Sequence, residues 1–320
     1  MKHQLKFKTR FSINRLQEKG VAHYILPLAA IVLVGLVGTA YVVVSRAATP
    51  SYISGPIHTV SQTPANVPLG LYESGNNLQY PFPATPKYAI QYYGWQEGFQ
   101  TADASTAWSK GTETFAELQT CGNPCDSTGV PINNVIDGSY DSYLTSFADS
   151  VKAFNHPVLL TFDHEFNGSW YPWGDSEITA TQWKDSWDHV TSVISKIAPN
   201  VTWVWAPNIE EGAASFNSYW PGTNEHVGMV GLDGYYSSTS ATWANTFAGS
   251  VSNINSVSGN KYGFIVAEIG VKGADSNNLT QIANLSTGAR GANAKAVMYF
   301  DSSSWLLSSS EQSQLVSSLK

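Results

Sequence analysis

Two glutamates stand where chemistry would be sought first. Glu165 lies in LLTFDHEFNGSWYPWG, residues 159–174, directly behind an apolar run, and Glu268 closes a second apolar run in FIVAEIG. A lone glutamate at the end of a strand is ordinarily just solvated. Here both follow segments that are hard to expose. Two carboxyls brought face to face can divide labour, one staying protonated to donate to a leaving oxygen while the other stays ionised. At about 5–5.5 Å the ionised one can attack a sugar carbon, as in retaining glycosidases. The repulsion between like charges raises one of the two pKa values and so supplies the acid. The rings nearby fit this chemistry. Trp170, Tyr171 and Trp173 crowd the loop after Glu165, Tyr235 and Tyr236 close a later strand, and Trp305 lies near the C-terminus. Flat aromatics flanked by Asn and Asp suit sugars, whose C–H faces stack while their hydroxyls take hydrogen bonds.

Other site chemistries are poorly supported. Asp163-His164-Glu165 does not have HExxH spacing and no second histidine stands at a helical offset, so no metal is expected. The two cysteines, Cys121 and Cys125 in CGNPCD, read as a disulfide closing a short loop.

Something must bring residues 103 apart in sequence to one place. Eight short apolar runs are candidate strands: Val67–Tyr72, Tyr88–Tyr93, Glu113–Leu118, Pro157–Phe162, Val201–Ala206, Val227–Tyr235, Tyr262–Ile269 and Ala294–Phe300. Helical periodicity fills gaps between them, over Asp141–Phe154 and Thr181–Ile197 and more weakly over Ser240–Ile254, Ser276–Leu285 and Ser309–Leu319. Runs such as HPVLLTF and KYGFIVAE are continuously apolar, as in strands covered on both faces. Alternating β and α over about 250 residues predicts an α/β fold, a (β/α)8 TIM barrel. A doubly wound sheet is the alternative, but the first strand runs into GLYESGNN rather than a Gly-rich phosphate loop. In a (β/α)8 barrel the C-terminal strand ends carry the site. Here those ends read DHEFNGSW, WAPN, LDGYY, AEIG and YFDSSSW. Trp183 and Trp187, four apart, are expected to pack a helix on the barrel, and Trp203 and Trp205 to include core positions.

Composition bounds the partners. The chain has 320 residues and a net charge of −7, yet six of its 17 Lys/Arg lie within residues 1–23 beside a single acid, leaving 11 basic and 23 acidic residues beyond. Such a body is a poor binder of polyanions, so nucleic acid is not an expected partner. Residues 24–44 are 21 residues without a charge, enough to cross about 30 Å of hydrocarbon. With basic residues in front, residues 1–23 are expected in the cytoplasm and the rest outside. The apolar run is expected to be either an uncleaved transmembrane anchor or a signal peptide. Residues 45–66, rich in Pro, Ser and Thr, read as a linker, and residues 67–320 as the catalytic domain.

The motifs together resemble glycoside hydrolase family 26. HEFNGSWYPWG resembles that family's H-E-M-N-G-x-W acid/base motif, and VTWVWAPN, YWPGTNEHVGMVGLDGYY and IVAEIG resemble its later strands in order and spacing. The similarity spans roughly Val67 to Trp305. It implies a retaining (β/α)8 enzyme, with Glu165 after strand four as acid/base and Glu268 after strand seven as nucleophile. It also implies substrate contacts at His164, Trp170 and Tyr235, the last bonding the nucleophile, and a platform at Trp305; Trp173, a ring of the same loop, is expected as a further substrate contact. Members are mostly endo-β-1,4-mannanases, with some β-1,3-1,4-glucanases and xylanases, and none of this chemistry requires a cofactor. Two positions depart from the pattern: Phe166 replaces the usual Met, and Thr161 stands where many members have Arg. The CGNPC stretch has the look of an added loop shaping the cleft. The expectation is an extracytoplasmic, membrane-anchored or secreted monomer hydrolysing mannan or glucomannan. A mixed-linkage glucanase, a xylanase and a non-catalytic polysaccharide-binding protein are the alternatives.

Overall fold

The computed structural model describes residues 66–73, 82–125, 129–222, 226–272 and 277–320. The apolar run at 24–44 and the basic segment before it lie outside the described residues. Among those described, no helix is long and apolar enough to cross a membrane.

Eight parallel strands form a closed barrel in sequence order: β1 (Leu69–Glu73), β2 (Tyr88–Tyr93), β3 (Glu113–Leu118), β4 (Val158–Phe162), β5 (Val201–Trp205), β6 (Val227–Asp233), β7 (Gly263–Ile269) and β8 (Val297–Asp301). The ring closes where β1 pairs with β8 from Leu69↔Val297 to Glu73↔Asp301. The helices are α1 (Thr101–Ser109), α2 (Ile132–Ile136), α3 (Asp141–Phe154), α4 (Ala180–Ile197), α5 (Trp243–Thr246), α6 (Ala248–Val257), α7 (Asn278–Gly291) and α8 (Ser309–Leu319).

Side-chain alternation divides the core in two. Ile90, Phe115, Leu159, Val204, Ile265, Ala267 and Met298 belong to a small cluster inside the barrel. Their strand neighbours Ala116, Leu160, Phe162, Trp203, Val266 and Val297 join a larger cluster under the helices. Filling the interior requires small residues opposite large ones. A Cβ on Gly70 would stand 2.0 Å from the Met298 Sδ, so this glycine makes room for that side chain.

The helices differ in how plainly the sequence marks them. α3 buries Leu144, Phe147, Ala148, Val151 and Phe154 on one face and stops at Asn155, which takes a left-handed φ of 58°. α4 buries Trp183, Trp187, Val190 and Ile194, and its start is set by a capping box between Thr179 and Gln182. The segment expected as one helix over Ser240–Ile254 is two. A capping box between Thr242 and Asn245 starts α5 at Trp243, and α6 begins after the buried Phe247. α7 runs past Leu285 to Gly291 because Ser286 and Ala289 continue its buried face. α1 and α2 were not expected. Their buried residues are only Ala104 and Ala107, and Ile132 and Val135, too few for a clear period.

Trp183 is fully buried between α4 and the barrel, its ring centroid 3.8 Å from that of Phe166 and 5.4 Å from that of Trp187. Trp183→Ala would leave a ring-sized cavity that this close packing cannot fill. It is expected to cost about 3–5 kcal/mol, read as a fall in the urea midpoint at unchanged slope.

Candidate active site

The chain leaves β4 through a turn that a regular strand would not make. Asp163 and Glu165 have φ of 45° and 53°, left-handed values that cost a non-glycine residue energy and persist only where surroundings enforce them. The enforcement is visible. The Asp163 carboxylate accepts the Thr120 backbone N–H at 2.8 Å and the Thr120 hydroxyl at 2.9 Å. The Glu165 N–H donates to the Ala206 carbonyl at 2.9 Å. The indole of Trp173 donates to the His164 carbonyl at 2.7 Å, and that of Trp183 to the Asp163 carbonyl at 3.3 Å.

The turn delivers Glu165 to the barrel mouth, where it is 6% exposed. One oxygen accepts from the Asn208 amide and the other from the Trp170 indole at 2.6 Å. Asn208 is itself locked to Asn167. Its N–H donates to the Asn167 Oδ1 at 2.8 Å, and the Asn167 amide returns to the Asn208 carbonyl at 2.9 Å. The HEFN and WAPN strand ends thus fix each other. Trp170 is 48% exposed, with its edge on Glu165 and its ring against Gly168, where a Cβ would come within 2.3 Å of the indole.

Glu268, also 6% exposed, reaches the same mouth from β7. The Tyr92 hydroxyl of β2 donates to it. Between them, His164 places Nδ1 3.0 Å from the Glu117 Oε2 of β3, both side chains being buried. The other ring nitrogen lies 3.4 Å from the Tyr171 hydroxyl. Glu117, His164 and Glu268 present ligand-type atoms all within 4.8 Å of one another. Two of the three already close on each other as an ion pair, so the arrangement needs no metal to account for it. Asp233 pairs with Glu268 across the β6–β7 ladder, is buried, and has neither oxygen hydrogen-bonded.

These groups shift one another. Burial raises Glu268 to about 8, with Glu117 and Glu165 adding to it and His164 opposing. Burial raises Glu165 as well, against the pull of His164 and its two hydrogen bonds. Burial lifts Asp233 far above the usual carboxylate range, with Glu165, Glu268 and Glu117 pushing the same way. Burial lifts Asp163 to about 7 despite the hydrogen bonds from Thr120. For His164 burial pulls downward, but Glu117, Glu165 and Glu268 together outweigh it, and the ring is held up at about 9. Tyr92 is pushed well above its ordinary value by burial and by Glu117 and Glu268, so it remains a neutral donor.

The structure therefore gathers Glu165, Glu268, His164 and Trp170 at one mouth. Two of the residues expected there have other surroundings. Trp173 is 1% exposed, stacked on Tyr171 at 4.5 Å, so it supports the turn and offers no face to a sugar. Tyr235 does not bond Glu268; that hydroxyl is Tyr92's. Tyr235 packs on Trp305 at 4.6 Å and nears Phe300 at 6.3 Å, forming with them a half-buried rim. Thr161 is buried beside Glu117 in the barrel register. Glu117, Tyr92, Asp233 and Asn208 went unassigned in the sequence. The available signal was an acid or amide at a strand end, FAEL, LDGYY or WAPN, among otherwise apolar residues. Cys121 and Cys125 form the expected disulfide.

The His164 shift has a consequence for stability. A folded-state pKa of about 9, against 6.5 for the free side chain, means that the native protein binds this proton more tightly. Its contribution is complete below pH 6.5 and lost as pH rises through 9. Glu268, raised to about 8, acts in the same direction. The melting temperature is expected to fall between pH 6.5 and 9, and His164→Gln to flatten that fall. A wild-type Tm constant across this range would contradict the assigned pair.

Comparison with known proteins agrees with this geometry. The family model "Glycosyl hydrolase family 26" matches residues 119–278, a stretch that contains Glu165 and Glu268. Endoglucanase H of Acetivibrio thermocellus is 30% identical over 129 residues, which are 38% of this chain and 14% of that protein's length. A β-mannanase from a symbiotic protist of the termite Reticulitermes speratus superposes with a TM-score of 0.59 at 15% identity, over 79% of this chain and 87% of that one. A β-mannanase from Bacteroides ovatus gives 0.60 at 15% identity, over 79% and 88%. At such identity the structures speak for the fold, and the family match speaks for the chemistry. The chain belongs to glycosyl hydrolase family 26 and is a glycoside hydrolase on a closed (β/α)8 barrel.

Proposed function

We propose that this enzyme is a retaining endo-β-glycosidase acting on a plant-type polysaccharide, with β-1,4-mannan or glucomannan as the preferred substrate. The observation behind the mechanism is the buried cluster in which Glu165 and Glu268, from β4 and β7, both lie above the usual carboxylate range, each through its burial, with Glu117 adding to both and Glu165 adding to Glu268. One proton shared between them serves both roles. Glu268 attacks the anomeric carbon while Glu165 protonates the departing oxygen. Glu165 then takes a proton from water, which releases the sugar from Glu268. Tyr92 steadies the nucleophile, and Asn208 and Trp170 steady the acid. The exposed face of Trp170 beside Glu165 supports a sugar-stacking wall at the cleavage point. The mannan preference is supported by solved neighbours described as mannanases.

A second substrate has an observation of its own. The 30% identity to an endoglucanase, over a stretch containing 129 residues, exceeds the 15% shared with the mannanase structures. Mixed-linkage glucan is therefore the alternative.

Reducing ends released from mannan, mixed-linkage glucan and xylan will separate these substrates. Glu165→Ala is expected to slow hydrolysis of the preferred glycan by about 10²–10⁴-fold, with partial recovery on an activated aryl glycoside that leaves without protonation. Glu268→Ala is expected to abolish turnover, and NMR of the wild-type reaction to find first-formed product with the substrate's anomeric configuration. Inverted product, or full activity in Glu268→Ala, would sink the mechanism.

A further inference from the structure

The CGNPC loop is not part of the cluster, yet it reaches toward it from one side. Cys121 follows β3 and is bridged to Cys125, so the intervening turn is closed covalently. This closed turn lies directly on the end of β2. The Trp95 N–H donates to the Cys121 carbonyl at 2.6 Å, and the Gln119 N–H to the Tyr93 carbonyl at 2.9 Å. The Asn123 amide donates to the Tyr92 carbonyl at 2.9 Å. The approach is close enough to require glycine. A Cβ on Gly94 would stand 2.7 Å from the Asn123 nitrogen and 2.8 Å from the Gly122 carbonyl carbon. Tyr92 is the residue whose hydroxyl donates to Glu268. On the β3 side the ladder still holds Tyr92 and Tyr93, but on the β1 side pairing stops at Ala89. The loop supplies a further partner at the residue whose side chain supports the nucleophile.

We propose that the disulfide-closed loop is a clamp on the end of β2 and that Asn123 is a positioning residue for Tyr92, acting through it on Glu268. The clamp rests on the reading of Glu268 as nucleophile only for its catalytic effect; its structural half stands independently. Reduction of the bridge opens the turn and frees the Tyr92 carbonyl and the Trp95 amide.

Two measurements test this. In the intact protein, hydrogen exchange of the Trp95 amide is expected to quicken on reduction and in Cys121→Ser/Cys125→Ser, while amides of β5 and β6 keep their protection. On the preferred glycan, Asn123→Ala and the isosteric Asn123→Asp, which lacks the donor, are expected to lower kcat about three- to tenfold, the range of one hydrogen bond, with KM little changed. In a Tyr92→Phe background the Asn123→Ala loss should disappear, because the path to Glu268 is already cut. Unchanged exchange at Trp95 overturns the clamp whatever glycan is cleaved. Losses that multiply independently in the double variant overturn the route through Tyr92. Activity surviving in Glu268→Ala is a different result, and overturns the nucleophile assignment rather than the clamp.

Discussion

The Glu117–His164 pair is the interaction on which the site depends. Five carboxyls, Glu117, Asp163, Glu165, Asp233 and Glu268, are buried in one barrel mouth. Removing even one charge from water is costly, and several of like sign compound it. His164 is the positive charge they face, lowering Asp163, Glu165 and Glu268 against burial. Glu117 keeps that ring protonated. An imidazolium so held, paired with Glu117, also opposes the burial that pushes Glu165 and Glu268 toward their neutral forms. Compared with two well-packed apolar side chains of the same volume, a buried ion pair brings little stability. Its value here is that it sets which neighbours can ionise.

Both glutamates reach the mouth by a break in strand regularity. In β7, Ile265 and Ala267 face the barrel interior, while Val266 and Ile269 pack under the helices. Strict alternation would send Glu268 outward. The ladder instead jumps, with Leu232 opposite Val266 and Asp233 opposite Glu268. The extra residue is Ala267, and the bulge turns Glu268 inward, as bulges beside active sites often re-aim a side chain. Just after β4 the two left-handed residues, Asp163 and Glu165, do the same. The Thr120 bonds and the two indoles hold that turn, so Trp173 and Trp183 act on the chemistry without touching a sugar.

The barrel is legible in the sequence because its staves are apolar on both faces, and β2 and β3 match their apolar runs residue for residue. Strand-end chemistry follows from the architecture, so Glu165 and Glu268 stand out. What stays hidden has a physical cause. Glu117 shares β3 with Glu113 and Thr114, so one more polar residue there does not stand out, and only alternation within the closed barrel reveals that it faces His164. Tyr92 and Tyr235 are both tyrosines at strand ends, and nothing in their spacing says which reaches Glu268. Trp173, in a ring-rich loop, is indistinguishable from Trp170 until burial separates a stacking face from a backbone donor.

The same division explains why the reaction class is easier to reach than the glycan. The carboxyls and their partners come from strand ends whose positions the closed barrel dictates. The surface that meets the rest of a polysaccharide is different. Trp305 leans on Tyr235 and lies over Gly270, where a Cβ would fall 2.7 Å from its ring, and Phe300 stacks on Tyr72 at 4.6 Å. These rings form an arc from β6 through β8 to β1. Stacking on such rings is tolerant of sugar identity, because most pyranose faces present C–H groups. Discrimination between mannose and glucose turns on one hydroxyl, and so on polar groups placed near it. Asp233, buried beside Glu268, is a group at the mouth with both oxygens free of hydrogen bonds. Its raised pKa makes it a neutral acid that can both donate and accept. On the proposed reading, a sugar hydroxyl of either orientation finds a partner in Asp233, and the rim rings, which stack on any pyranose face, do not choose between sugars.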